Sequence, residues 1–237
     1  MTLIDTEIIT SRRYQLRRNS TGLVVISPDN VARVEAMIAE NSRYNRSLNS
    51  DNRSSSKACL DILKRELYDL THPHPDLLTV ENAMRAINRE NSTQLSAGEL
   101  SELANRICAL SSSEILEYLE KPTTKLGPSG EKYYLVSYLR KKTATSKRSG
   151  RENYSFATKF CHYACINFFQ GKTEADNFPI IDNVVKAVFP KYAENIVKQI
   201  VFEDYETFVR NIDEVLDHYG NCISRNGFDH LMWYANK

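Results

Sequence analysis

Long apolar runs are missing from this chain: none approaches the ~20 residues that a helix needs to cross a bilayer. The N-terminus, Met1-Thr-Leu-Ile-Asp-Thr-Glu7, also lacks the basic start and apolar middle of a signal peptide. These absences exclude a helical membrane protein and make the cytosol the expected compartment, with no membrane partner. Cysteine is sparse: there are five (Cys59, Cys108, Cys161, Cys165 and Cys222), and no two stand as C-x-x-C. An odd, scattered set argues against a disulfide framework. Cys161, His162 and Cys165 offer three soft ligands, but no second cluster with zinc spacing completes them. No metal and no cofactor is expected, and buried thiols are the reading. Internal repeats and low-complexity tracts are absent too, which removes repeat arrays from consideration.

What remains has the composition of an ordinary globular protein. The 237 residues, 41% hydrophobic and 26% charged, suffice for one large domain or two small, closely packed ones. A net charge of +1 conceals an asymmetry. Between Lys121 and Arg151, nine basic residues (Lys121, Lys125, Lys132, Arg140, Lys141, Lys142, Lys147, Arg148 and Arg151) stand against one acid, Glu131. A basic stripe in a nearly neutral chain suggests an anionic partner met on one face, phosphate backbone being the commonest. A solvated surface loop is the alternative.

Residues 1–26 read as an N-terminal arm in which Gly22-Leu-Val-Val-Ile26 is able to form a minor strand. Ser27-Pro28-Asp29 then supplies an N-cap, a proline at the first helical position and an early acid. Residues 45–56, rich in Asn, Ser and Arg, read as a polar loop. Helices are expected over Leu60–Leu70 and Val80–Ile87, and after the capping boxes at Ser96-Ala-Gly-Glu99 and Ser111-Ser-Ser-Glu114. Further ones are expected over Tyr133–Leu139, Asn153–Phe169, from Asp182 to just before Pro190, around Val197–Val201, from Tyr205 to the stop at Gly220, and over Phe228–Trp233. The class is all-α: two packed helical subdomains, 27–139 and 140–237, follow the arm, with at most a minor strand.

Two charges stand out. In the helix from Asn153, Phe156, Phe160, Ala164 and Phe168 share one face, and Ser155, Lys159 and His162 line the opposite, polar side. A lysine so placed is either solvated or an amine able to attack an electrophilic carbon. Asp182 follows Phe178-Pro-Ile-Ile181 at the start of a helix, where a carboxylate is a favoured N-cap. Capping and catalysis are compatible if one carboxylate oxygen is left over from the cap. His162, one turn after Lys159, is a neighbour able to hydrogen-bond in such a site, or simply a packed histidine.

Ser155-Phe-Ala-Thr-Lys159-Phe, followed by Phe178-Pro-Ile-Ile-Asp182-Asn-Val-Val, resembles the helix-hairpin-helix superfamily of base-excision DNA glycosylases. The likeness is to its small bacterial branch akin to 8-oxoguanine DNA glycosylase, and it extends over roughly Arg140 to the C-terminus. The closing Ser224-Arg-Asn-Gly-Phe-Asp-His-Leu-Met-Trp-Tyr-Ala235 is similar to the terminal helix of bacterial members. The resemblance implies a helix-hairpin-helix fold, with Lys159 as the amine nucleophile and Asp182 as the carboxylate that assists departure of the base. It also implies a bacterial cytosol or nucleoid setting. Where that family carries Gly-x-Gly, this chain has Gly150-Arg-Glu-Asn-Tyr-Ser155. Phosphate contact then falls to Arg140, Lys141, Lys142, Lys147, Arg148, Arg151 and the helix N-terminus.

The expected partner is double-stranded DNA with a damaged or modified base, met by a monomer, in repair or in defence against modified foreign DNA. The alternatives are a non-catalytic nucleic-acid-binding protein on the same fold and a helical protein-interaction adaptor.

Overall fold

Local capping signals decide where most helices begin. The computed structural model describes residues 15–48, 55–69, 71–91, 93–145 and 152–234, with backbone alone for 41–48. Among them stand ten α-helices: α1 (Pro28–Leu48), α2 (Ser56–Leu67), α3 (Leu77–Glu90), α4 (Ala97–Cys108), α5 (Ser112–Glu120), α6 (Tyr134–Arg140), α7 (Tyr154–Phe168), α8 (Asn183–Ala193), α9 (Tyr205–His218) and α10 (Arg225–Tyr234). Both capping boxes form as expected, Ser96 with Glu99 and Ser111 with Glu114. Ser55 and Asp76 cap α2 and α3 by accepting from the backbone N–H of Ala58 and Thr79. Such caps each contribute about 1 kcal/mol. The chain is all-α, and the expected minor strand reduces to one antiparallel bridge, Arg18 to Val24. No helix among the described residues is long and apolar enough to cross a membrane.

Three expectations are corrected. Residues 45–48, read as loop, continue α1. Pro190 lies inside α8 instead of ending it. A proline there removes one i→i−4 bond, and burial of Val188, Phe189, Tyr192 and Ala193 on either side offsets that loss. The helix expected around Val197–Val201 does not form. Asn195 turns left-handed at φ 64, which breaks the run, and the Asn211 side chain holds the Gln199 carbonyl of the resulting loop at 3.1 Å.

Internal contacts divide the chain into two compact units. One unit comprises Met1–Asn52, Asp182–Val201 and Arg210–Lys237; the other comprises Arg53–Ile181 and Phe202–Val209. In the first, α10 packs on both α1 and α8, and Val24, Val34 and Leu231 form a buried cluster. Residues 15–26 are pinned within this unit. The fully buried Asn30 amide donates to the carbonyls of Arg17 (3.0 Å) and Val25 (2.7 Å), and the Tyr192 hydroxyl donates to Val24 (2.8 Å). In the second unit, α7 is the central helix, packed against α2, α3, α5, α6 and a 3-10 turn at Thr173–Asp176.

Candidate active site

The central position of α7 removes the polar side expected for it. Thr158, Lys159 and His162 are as buried as the phenylalanines, and Lys159 is only 5% exposed. A helix with one formal charge in fifteen residues is suited to burial on all sides. That charge must be compensated, because an isolated buried ammonium is costly. Part of that compensation comes from the C-terminal end of α3: Lys159 Nζ lies 3.4 Å from the main-chain oxygen of Asn91, the C-cap residue. At that length the attraction is chiefly electrostatic, a cation facing the negative end of a helix. Tyr163, one turn on, donates its hydroxyl to Asn91 Oδ1 at 2.8 Å.

The neighbours of Lys159 hold a backbone strap. His162 Nδ1 sits 2.7 Å from the carbonyl of Phe178, and since a carbonyl only accepts, Nδ1 carries the hydrogen. The Tyr205 hydroxyl donates to the Pro179 carbonyl at 2.7 Å. The Ile181 N–H donates to Thr158 Oγ1 at 3.2 Å, while the Thr158 hydroxyl itself donates to Ser155 O. Residues 178–181 therefore form a strap outside any helix, with polar groups bonded to side chains of α7 and α9. Tyr133 packs edge-on against Phe178 and Tyr205, closing the apolar side.

The strap leads directly into Asp182, whose extended backbone opens α8. Its Oδ1 accepts the N–H groups of Val184 and Val185, both at 3.0 Å. Its Oδ2 accepts the indole N–H of Trp233 at 2.9 Å. The cap therefore uses one carboxylate oxygen, and the indole engages the other.

Comparison with protein-family models, curated proteins and solved structures finds no match in any of the three.

The basic stripe is distributed among different tasks. Lys147, Arg148 and Arg151 lie outside the described residues. Arg140 is committed internally: it pairs with Glu152 at 2.7 Å, donates to the Glu203 carbonyl at 2.7 Å and stacks over the Tyr154 ring. Lys132 pairs with Glu206 at 2.7 Å. Distant acids thus neutralise part of a charge that looked concentrated along the chain. Lys141 and Lys142 are exposed, and Arg106 holds both of their carbonyls. Close by in sequence, Thr143 Oγ1, Asn153 Nδ2 and the Tyr154 hydroxyl are buried without a hydrogen-bond partner among the described residues. Asn153 and Tyr154 stand at the N-terminal entrance of α7.

Cys161 and Cys165 sit in the α7 core, where burial pushes both thiols well up and keeps them protonated. The residues that sequence reasoning missed are Asn91, Thr158, Tyr163, Tyr205 and Trp233. The near-absence of charge along α7 was the available signal that its polar residues are buried with partners.

Proposed function

We propose that this chain is a DNA N-glycosylase with lyase capacity, acting on a damaged or modified base in duplex DNA, in repair or in defence against modified foreign DNA. One observation carries the reading: a buried lysine stands between two residues, Thr158 and His162, whose side chains fix the strap of residues 178–181. Rigid support of this kind is what a reacting amine needs. As the bond from C1′ to the base breaks, positive charge grows on the sugar, and the Asp182 carboxylate stabilises it. The base leaves with the bonding electron pair and takes a proton. Lys159, having given up its own proton, forms a bond to C1′; the C1′–O4′ bond then opens and yields an iminium. Loss of a proton from C2′ expels the 3′ phosphate and cuts the strand.

The target base must first leave the stack, at a cost of a few kcal/mol. Exposed Lys141 and Lys142 and the N-terminus of α7 support phosphate contact nearby. Base release from duplexes each carrying one modified base, read as alkali-labile sites, is the test. Release from at least one duplex, abolished in Asp182→Ala, is the expected result.

A second reading has its own observation. Asp182 serves as an N-cap through one oxygen and holds an indole through the other, which suits a non-catalytic nucleic-acid-binding protein. Salt-sensitive duplex binding with no base release from any duplex of the panel favours it.

A further inference from the structure

We infer that Asn91 and Tyr163 are positioning residues for the Lys159 amine, an inference that rests on the reading of Lys159 as a nucleophile. Two α7 residues one turn apart grip a single residue at the end of α3. Lys159 Nζ faces the Asn91 main-chain oxygen, and the Tyr163 hydroxyl donates to the Asn91 side-chain oxygen. Asn91 is further locked from its own helix: its backbone N–H and its Nδ2 both donate to the Ile87 carbonyl, each at 3.0 Å. With the side chain held at both ends, the Asn91 carbonyl keeps one orientation.

That orientation has a chemical consequence. In the resting protein the carbonyl faces the ammonium, at the negative end of α3. Once the amine is neutral, one of its N–H bonds donates to the same oxygen, which turns the nitrogen lone pair away from the carbonyl. The nucleophile is thereby aimed, and its rotation about the last side-chain bond is restricted. Amines held this way react faster because less orientational freedom is lost at the transition state.

The test separates positioning from the enzyme reading by using two electrophiles. Formaldehyde with cyanoborohydride methylates Lys159, and the labelled peptide is quantified by mass across a pH series. An aldehydic abasic duplex with borohydride reports the DNA adduct. Asn91→Asp retains an acceptor for Tyr163 but loses the amide N–H that bonds the Ile87 carbonyl, so the Asn91 carbonyl is released and the rate of Lys159 methylation is expected to change several-fold. Tyr163→Phe is expected to slow adduct formation roughly ten- to a hundredfold while its far-ultraviolet circular dichroism stays that of wild type. A purely structural role moves the melting temperature but not the labelling profile.

The inference is overturned if both variants label with the wild-type pH profile and trap DNA at the wild-type rate. If wild type traps no DNA yet Lys159 methylation slows in Tyr163→Phe, which adds no charge, the glycosylase reading fails and the positioning of the amine stands. An adduct that forms in wild type, with no change in either variant, leaves the enzyme reading intact and removes the positioning.

Discussion

The backbone N–H of Ile181 donates to the hydroxyl of Thr158, so the residue before Asp182 is bonded to the residue before Lys159. Both are fully or nearly fully buried, at 1% and 0% exposure. Thr158→Val keeps the shape and removes the acceptor, leaving a buried N–H unsatisfied. A loss of about 1–3 kcal/mol is expected in urea denaturation. Thr158→Ser should retain most of the stability, and an equal loss in both variants would show that the hydroxyl is not what matters.

Asp182→Asn is expected to be far from conservative. Asparagine caps helices well, so the bonds to Val184 and Val185 can persist. The amide nitrogen then faces the Trp233 indole N–H, donor against donor. The cost should be about 1–3 kcal/mol. A double-mutant cycle checks the cause: adding Trp233→Phe should recover much of the loss, and strict additivity would exclude the clash.

The same bond supplies a probe. Trp233 is the chain's one tryptophan, and its indole N–H is held by a carboxylate. Asp182→Ala removes that acceptor, so the intrinsic emission maximum should shift. An unchanged spectrum would mean that the indole and the carboxylate do not interact in solution.

Replacing Lys159 with methionine tests how firmly the buried ammonium is held. The change keeps much of the volume but strips the cation from the groups that hold it, the Asn91 carbonyl among them, so a loss of about 1–3 kcal/mol is expected. Thermal melting measures this. An unchanged or raised melting temperature would show that these groups do not depend on the charge.

Stability should fall with acid through His230. Burial lowers this imidazole's pKa below its ordinary 6.5; Glu35, 3.9 Å away and half exposed, is too screened to reverse that. The folded state therefore binds fewer protons than the unfolded state between the two values. The contribution is fully present above pH 6.5 and declines as pH drops through the folded value, with a slope of at most about 1.4 kcal/mol per pH unit. His230→Phe should flatten denaturation midpoints over that range. An identical pH slope in wild type and variant would exclude the histidine as its source.

Features written in short stretches of chain were legible. Ser96 with Glu99 and Ser111 with Glu114 each declare a helix start within four residues, and Pro28 marks the first turn of α1. Features decided by packing were not. Pro190 reads locally as a stop, yet the buried Phe189 and Tyr192 hold α8 through it. The apolar spacing of Val197 and Ile200 suggests a helix, yet both are half exposed beyond a left-handed Asn195. Lys159 and Asp182 were visible as candidates because each carries charge in an apolar setting. Their partners Asn91 and Trp233 come from residues 68 and 51 positions away, and no local pattern joins them.

Borohydride trapping bears most directly on the central claim. Wild-type protein, incubated with a panel of duplexes carrying modified bases or an abasic site, should yield a covalent protein–DNA adduct whose peptide maps to Lys159. The adduct should vanish in Lys159→Gln. A wild-type protein that binds the same duplexes and yields no adduct with any of them, or an adduct that persists in Lys159→Gln, would contradict the assignment of Lys159 as the nucleophile.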